Sequence, residues 1–176
     1  MRLKFITTNP GKFEEAVDLL SEFDIERIDR AYTEVQADSL EEVALYGLWE
    51  LSGEGLEDFF IEDAGLFIHS LKGFPGVYSA YVNRTIGCRG IIKLVGDDRR
   101  AEFRSIIGLC RNGETTIHEG VCEGEIAEEE KGKNGFGFDP IFIPRGSSKT
   151  FAEMDIWEKN IFSHRALALG KLSLLF

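Results

Sequence analysis

Apolar positions along this chain alternate between two spacings, and each switch marks the edge of an element. Leu3, Phe5 and Ile6 form a short apolar run that reads as a strand. Phe13, Ala16, Val17, Leu20 and Phe23 then recur at three- and four-residue steps, one face of a helix. Ile25 to Ile28 fits a short second strand. Ser39 and Glu42 form a capping box beside Leu40, Val43, Ala44, Leu48 and Leu51, the buried stripe of a second helix. Phe59-Phe60-Ile61 predicts a short buried strand ending at Glu62 and Asp63; Leu66 to Ile68 continues extended, and Gly73-Phe74-Pro75-Gly76 predicts a turn. Thr85 is placed to cap a helix carrying Ile86, Ile91, Ile92, Leu94 and Val95.

Two strand-like runs follow, Ala101 to Cys110 and Thr115 to Cys122, joined through Asn112-Gly113, a strong hairpin turn pair. Glu128 to Lys133 is charged and predicts a solvated stretch, whereas Ile141-Phe142-Ile143 reads as another buried strand. Ser163 can cap a final helix packed down by Ala166, Leu167, Leu169, Leu172 and Leu174. No repeat or low-complexity linker divides the chain. Strands and helices mix without strict alternation, which predicts an α/β fold with a mixed sheet and helices on its faces.

Composition narrows the partners. The 176 residues fit one domain able to bury about 70% of its unfolded surface. Against 20 basic residues stand 31 acidic ones, a formal net charge of -11. A nucleic-acid polymer or an anionic membrane rewards a basic face, so neither is expected as a partner. A small anionic substrate remains compatible if a few cations gather locally and a divalent metal assists. Cys88, Cys110 and Cys122 are odd in number and lack metal-type spacing, which suits a reducing compartment. The apolar run at the N-terminus is too brief for a signal peptide or membrane span, and a cytoplasmic protein is the simplest expectation.

Four stretches carry candidate chemistry. Thr7-Thr8-Asn9-Pro10-Gly11-Lys12 sits where a strand turns into a helix, and the backbone N–H groups and dipole of a helix start favour an anion. Turn and cap chemistry alone also produces such junctions, and the stretch is not a Walker A loop. Glu62 and Asp63, with Glu34 in Tyr32-Thr33-Glu34-Val35-Gln36, offer oxygen ligands of the kind a hard cation such as Mg²⁺ takes; each also reads as a solvated loop acid. Gly135-Phe136-Gly137-Phe138-Asp139-Pro140 places rings where a planar group could stack, or where they plug a core. Lys159, Ser163, His164 and Arg165 crowd the approach to the last helix, as base-edge donors or as ordinary surface and capping residues. Together the four describe a nucleoside triphosphate site.

At this point the pattern resembles a known family. Thr7 to Lys12, Glu34-Val35-Gln36, Glu62-Asp63-Ala64-Gly65-Leu66, Gly73 to Ser79, Phe136 to Pro140, Lys149 to Met154, Glu158-Lys159-Asn160 and Ser163-His164-Arg165 occur in order over nearly the whole chain. On these residues the chain is identified as an archaeal-like member of the inosine triphosphate pyrophosphatase family. The resemblance implies an elongated α/β fold of two lobes with a deep cleft, one domain over residues 1–176, a homodimer and dependence on Mg²⁺. It implies hydrolysis of ITP, dITP and XTP to the monophosphate and pyrophosphate. By position, Thr7, Thr8, Asn9, Pro10, Gly11 and Lys12 would hold phosphates, and Glu34 and Asp63 the metal. Asp63 would accept the proton of the attacking water, with Lys12 beside the leaving pyrophosphate. Phe136, Gly137, Phe138 and Asp139 would form the base pocket, and Lys159, His164 and Arg165 would contact the nucleotide.

Two departures touch the site. Ala64 stands where many members carry Ser or Thr, which leaves only a backbone contact there. Phe138 replaces a frequent Tyr or Trp. A related family of septum-associated pyrophosphatases shares the N-terminal grip but not the later motifs. A nucleotide sensor without turnover is the rival of another class, and the acidic and basic groups at 12, 34 and 63 argue against it. A carbohydrate-cleaving carboxylate pair is a further rival, which would leave the lysines without a role.

Overall fold

A computed structural model describes residues 2–175. Six strands form one sheet in the order β2-β1-β3-β4-β5-β6: β1 (Arg2–Ile6), β2 (Asp24–Ile28), β3 (Phe59–Ile68), β4 (Arg100–Arg111), β5 (Glu114–Ile126) and β6 (Phe142–Pro144). β1 runs parallel to β2 and β3, while β6 runs antiparallel to β5, so the sheet is mixed. The helices are α1 (Pro10–Leu19), α2 (Leu40–Gly53), α3 (Ser79–Thr85), α4 (Gly87–Leu94), α5 (Ile156–Phe162) and α6 (His164–Ser173). This is the expected α/β class. Among the described residues no helix is long and apolar enough to cross a membrane.

The chain forms two compact units, one of Met1–Asp63, Ser105–Gly120 and Arg165–Phe176, the other of Ala64–Arg104 and Val121–His164. Each has its own core. In the first, Leu3 and Phe5 of β1, Ala16 and Leu20 at α1, Phe60 of β3, Ile107 and Leu109 of β4 and Ala168, Leu169 and Leu172 of α6 pack together. Phe5 and Phe60 stack there with ring centroids 4.3 Å apart. In the second, Phe103, Phe142 and Phe151 meet Leu66, Ile68, Ile91 and Ile141.

Two expectations from the sequence are corrected. β3 does not end at Glu62 and Asp63 but continues to Ile68, because it is buried along nearly its whole length and its ladder persists past the two acids. Thr85 does not cap the following helix. It closes α3, returning its hydroxyl to the carbonyls of Tyr81 and Val82 at 3.0 and 3.2 Å. Ser79 opens that helix, and its Oγ accepts the Leu66 N–H at 2.8 Å while donating to the Gly76 carbonyl at 2.6 Å, a tertiary role invisible in local spacing. The hairpin of β4 and β5, the short β2 and the solvated stretch at 128–133 stand as expected.

Candidate active site

In the first unit, Thr7 directly follows β1 and is buried, and its Oγ1 accepts the N–H of Asn9 at 3.1 Å. Asn9 is the N-cap of α1, its Oδ1 taking the Lys12 N–H at 3.2 Å, with Pro10 in the first helical turn. The cap satisfies one of the orphan amides of a helix start, and Pro there sacrifices none. Arg27 of β2 donates to the carbonyls of Thr7 and Thr8 at 3.2 and 3.1 Å, bracing the turn that precedes the helix start. The spacing of residues gave no hint of this brace, since it depends on β2 lying beside β1 in register.

Lys12 is the pivot. Its Nζ donates to the Glu62 backbone carbonyl at 2.9 Å and pairs with Glu62 Oε2 at 2.9 Å. Glu62 is completely enclosed and also takes the Ser105 hydroxyl at 2.7 Å and the Arg165 guanidinium at 3.2 Å. Arg165, only 2% exposed, pairs in turn with the buried Glu15. Burial pushes the Glu62 carboxyl up, but the charges of Arg165 and Lys12 and the hydroxyl of Ser105 outweigh it and hold Glu62 ionised far below the usual carboxylate range. The structure therefore commits Arg165 to a carboxylate cage. The signal for this was present: Arg165, Ala168, Leu169 and Leu172 fall at helical steps of three, four and seven, so Arg165 shares the buried face of α6.

Asp63 follows Glu62 on β3 and is 7% exposed. Burial raises its pKa; Lys12 opposes this, the charges of Glu34 and Glu62 add to it, and the Tyr32 hydroxyl, donating to Oδ2 at 3.0 Å, lowers it again. The carboxyl ends at about 6. Glu34 is exposed, on the irregular stretch between β2 and α2. Among the described residues no group of three or more His, Cys, Asp or Glu could enclose an ion. The charge of Glu34 acts on Asp63, and a pair of carboxylates suits Mg²⁺, which is seldom held by protein ligands alone.

In the second unit, Asp139 Oδ2 accepts the Phe136 N–H at 2.9 Å and the Lys159 ammonium at 2.7 Å, with both charged side chains buried. Gly135 makes this possible. At its φ of +71° a Cβ would lie 2.0 Å from Asp139 Oδ2. The Lys159 ammonium lies 5.1 Å from the Phe136 ring centroid and 5.4 Å from that of Phe151. Of the two expected stacking rings, Phe138 is 3% exposed and belongs to the core, while Phe136 is half-buried. His164 is buried against Phe103, its ring stacked at 4.6 Å and 10°. Gly137 is exposed, and Ala64 on β3 is half-buried. The first unit thus gathers Thr7 to Lys12, Asp63 and Arg165, and the second gathers Phe136 to Asp139, Lys159 and His164.

Residues 3–174 match the model of the Ham1 family. The chain is 54% identical over 173 residues to the dITP/XTP pyrophosphatase of Pyrococcus horikoshii, covering 96% of this chain and 93% of that protein. Identity to the dITP/XTP pyrophosphatase of Thermococcus kodakarensis is 51% over 177 residues, covering 98% and 96%. The solved structure of a HAM1 protein from Coxiella burnetii superposes with a TM-score of 0.84 at 32% identity, covering 98% of both chains.

Proposed function

The chain belongs to the Ham1 family, and we propose that it hydrolyses deaminated purine nucleoside triphosphates (ITP, dITP and XTP) to the monophosphate and pyrophosphate. The observation that carries this reading is the adjacency, on one strand, of Glu62 gripping the Lys12 ammonium and Asp63 holding a carboxyl raised to about 6. The names of the two archaeal relatives support the substrate class.

The amide end of α1 and Lys12 take the phosphates, where the helix dipole and the ammonium favour negative charge. Glu34 and Asp63 would hold Mg²⁺. When bound, it would neutralise phosphate charge and lower the pKa of a bound water. The water oxygen bonds to the α phosphorus as the bond to the bridging oxygen breaks, and pyrophosphate leaves with the electron pair. Asp63 accepts the water proton. A carboxyl at about 6 is ionised at neutral pH yet more basic than an ordinary aspartate, which suits that task. Lys12 stabilises the charge growing on the leaving group. Arg165, through Glu62, keeps Lys12 in place.

Recognition of the base falls to Phe136, Gly137, Phe138, Asp139, Lys159 and His164. Hypoxanthine and xanthine carry an acceptor oxygen at position six, where adenine carries an amino group. Donors aimed at that oxygen stay unpaired when adenine binds, which can discriminate by about 10⁴. Both units serve one catalytic domain in this reading, acting in the cytoplasm as a homodimer; exposed Tyr78 and Tyr81 offer an aromatic surface suited to self-association.

The test is pyrophosphate release from a panel of ITP, dITP, XTP, GTP and ATP, with Mg²⁺ or with chelator. The reading expects metal-dependent release from the first three and slow release from ATP. Equal rates across the panel would remove the selectivity, and binding without release would favour the sensor.

A further inference from the structure

Residues 29 to 39 form no regular element, yet they carry Glu34. Such a stretch holds a side chain at a fixed place only if it is anchored from outside. Three anchors lie on one face of α2, at positions 47, 50 and 54, steps of three and four. The Thr33 N–H and Oγ1 bind the Glu50 carboxylate at 2.7 and 2.8 Å. Arg30 pairs with Glu54, the C-cap of α2. The Tyr32 ring lies against Gly47, where a Cβ would meet it at 2.8 Å and Ile61 Cδ1 at 3.0 Å. Gly inside a helix costs about 1 kcal/mol against Ala, so its presence in the buried stripe of α2 calls for a reason of space. The ring supplies that reason. Beyond it the Tyr32 hydroxyl reaches Asp63 Oδ2 at 3.0 Å.

We propose that Tyr32, seated on Gly47, is a positioning residue that fixes both acids of the site: its hydroxyl orients the Asp63 carboxylate, and its ring pins the stretch that presents Glu34. The inference rests on the functional reading of those two acids. The phenol engages Oδ2 of Asp63, so Oδ1 is the oxygen that would serve the water and the metal. Glu34, two residues further along the stretch and exposed, inherits its position from the same ring. Gly47, buried within α2, thereby becomes a determinant of turnover.

Tyr32→Phe removes only the hydroxyl and keeps the ring, while Gly47→Ala keeps the hydroxyl and displaces the ring. Kinetics on dITP at saturating Mg²⁺ should show kcat down about tenfold for Tyr32→Phe, the loss of one hydrogen bond to a charged group, with KM within about twofold of wild type. Gly47→Ala should lower kcat at least as much, and the double variant should lose no more than the worse single, because the displaced ring already forfeits the hydroxyl contact. A second readout needs no turnover: Mn²⁺ titration followed by electron paramagnetic resonance should show metal affinity weakened several-fold by Gly47→Ala, which moves the Glu34 stretch. Wild-type kcat in Tyr32→Phe would overturn the proposal, as would losses that multiply in the double variant or unchanged Mn²⁺ affinity in Gly47→Ala. If Gly47→Ala melts below the assay temperature, Tyr32→Phe alone decides. Absence of pyrophosphate release from the wild type would instead sink the functional reading, a result distinguishable from all of these.

Discussion

Asp63→Asn should make the metal-free protein more stable while abolishing most of its turnover. The aspartate's ordinary pKa is 3.8, and in the fold it is about 6. The folded chain therefore binds this proton more tightly than the unfolded chain does, and ionisation works against the fold. The penalty is absent below the unfolded value, grows as pH rises between about 4 and 6, and is complete above that. A gap of roughly two pH units at 1.36 kcal/mol each amounts to about 3 kcal/mol at pH 8. For a chain of this size that is about 6–12 °C in melting temperature. Asparagine is nearly isosteric and its amide oxygen still accepts the Tyr32 hydroxyl, so the charge is the main thing removed. The assay is thermal denaturation of both proteins with chelator at pH 8 and pH 4, beside pyrophosphate release from dITP with Mg²⁺ at pH 8. The variant should melt higher at pH 8, match wild type near pH 4, and turn over about 10²-fold more slowly or worse. A variant no more stable than wild type at pH 8, or equally stabilised at both pH values, would refute the electrostatic account of Asp63. Near-normal turnover would place the proton acceptor elsewhere.

Other consequences follow from the same contacts. Arg165→Met strands Glu15 and Glu62 without their shared cation and should cost about 3–5 kcal/mol in urea denaturation; a change below about 1 kcal/mol would mean that the cage does not support the fold. Gly135→Ala forces a Cβ onto Asp139 at a left-handed backbone position and should raise KM for dITP far more than it lowers kcat. An unaltered KM would remove the Phe136 to Asp139 segment from base recognition.

How much of this was legible depended on whether the cause was local. The turn at Thr7 to Lys12 could be read directly, because a cap, a proline and a helix start lie within six residues. The acids at 62 and 63 were found, but their strand was expected to stop there; its continuation comes from ladder partners far along the chain. Asp139 read as a turn former or base contact, and its pairing with Lys159 twenty residues later needed the folded second unit. Arg165 reads as a nucleotide contact by its charge, and its place on the apolar face of α6 adds the pairing with Glu15 and Glu62. Gly47, an isolated glycine in a helical stripe, gives no local signal, since the Tyr32 ring and Ile61 that crowd it lie elsewhere in the chain. Arg27 gave no signal in spacing at all.

The most direct test of the central claim is the identity of the products. Purified protein with Mg²⁺ and ITP in ¹⁸O-water, resolved by mass spectrometry and phosphorus NMR, should yield labelled inosine monophosphate and unlabelled pyrophosphate. Inosine diphosphate with inorganic phosphate, or label in the pyrophosphate, would contradict attack at the α phosphorus with Lys12 beside the departing group.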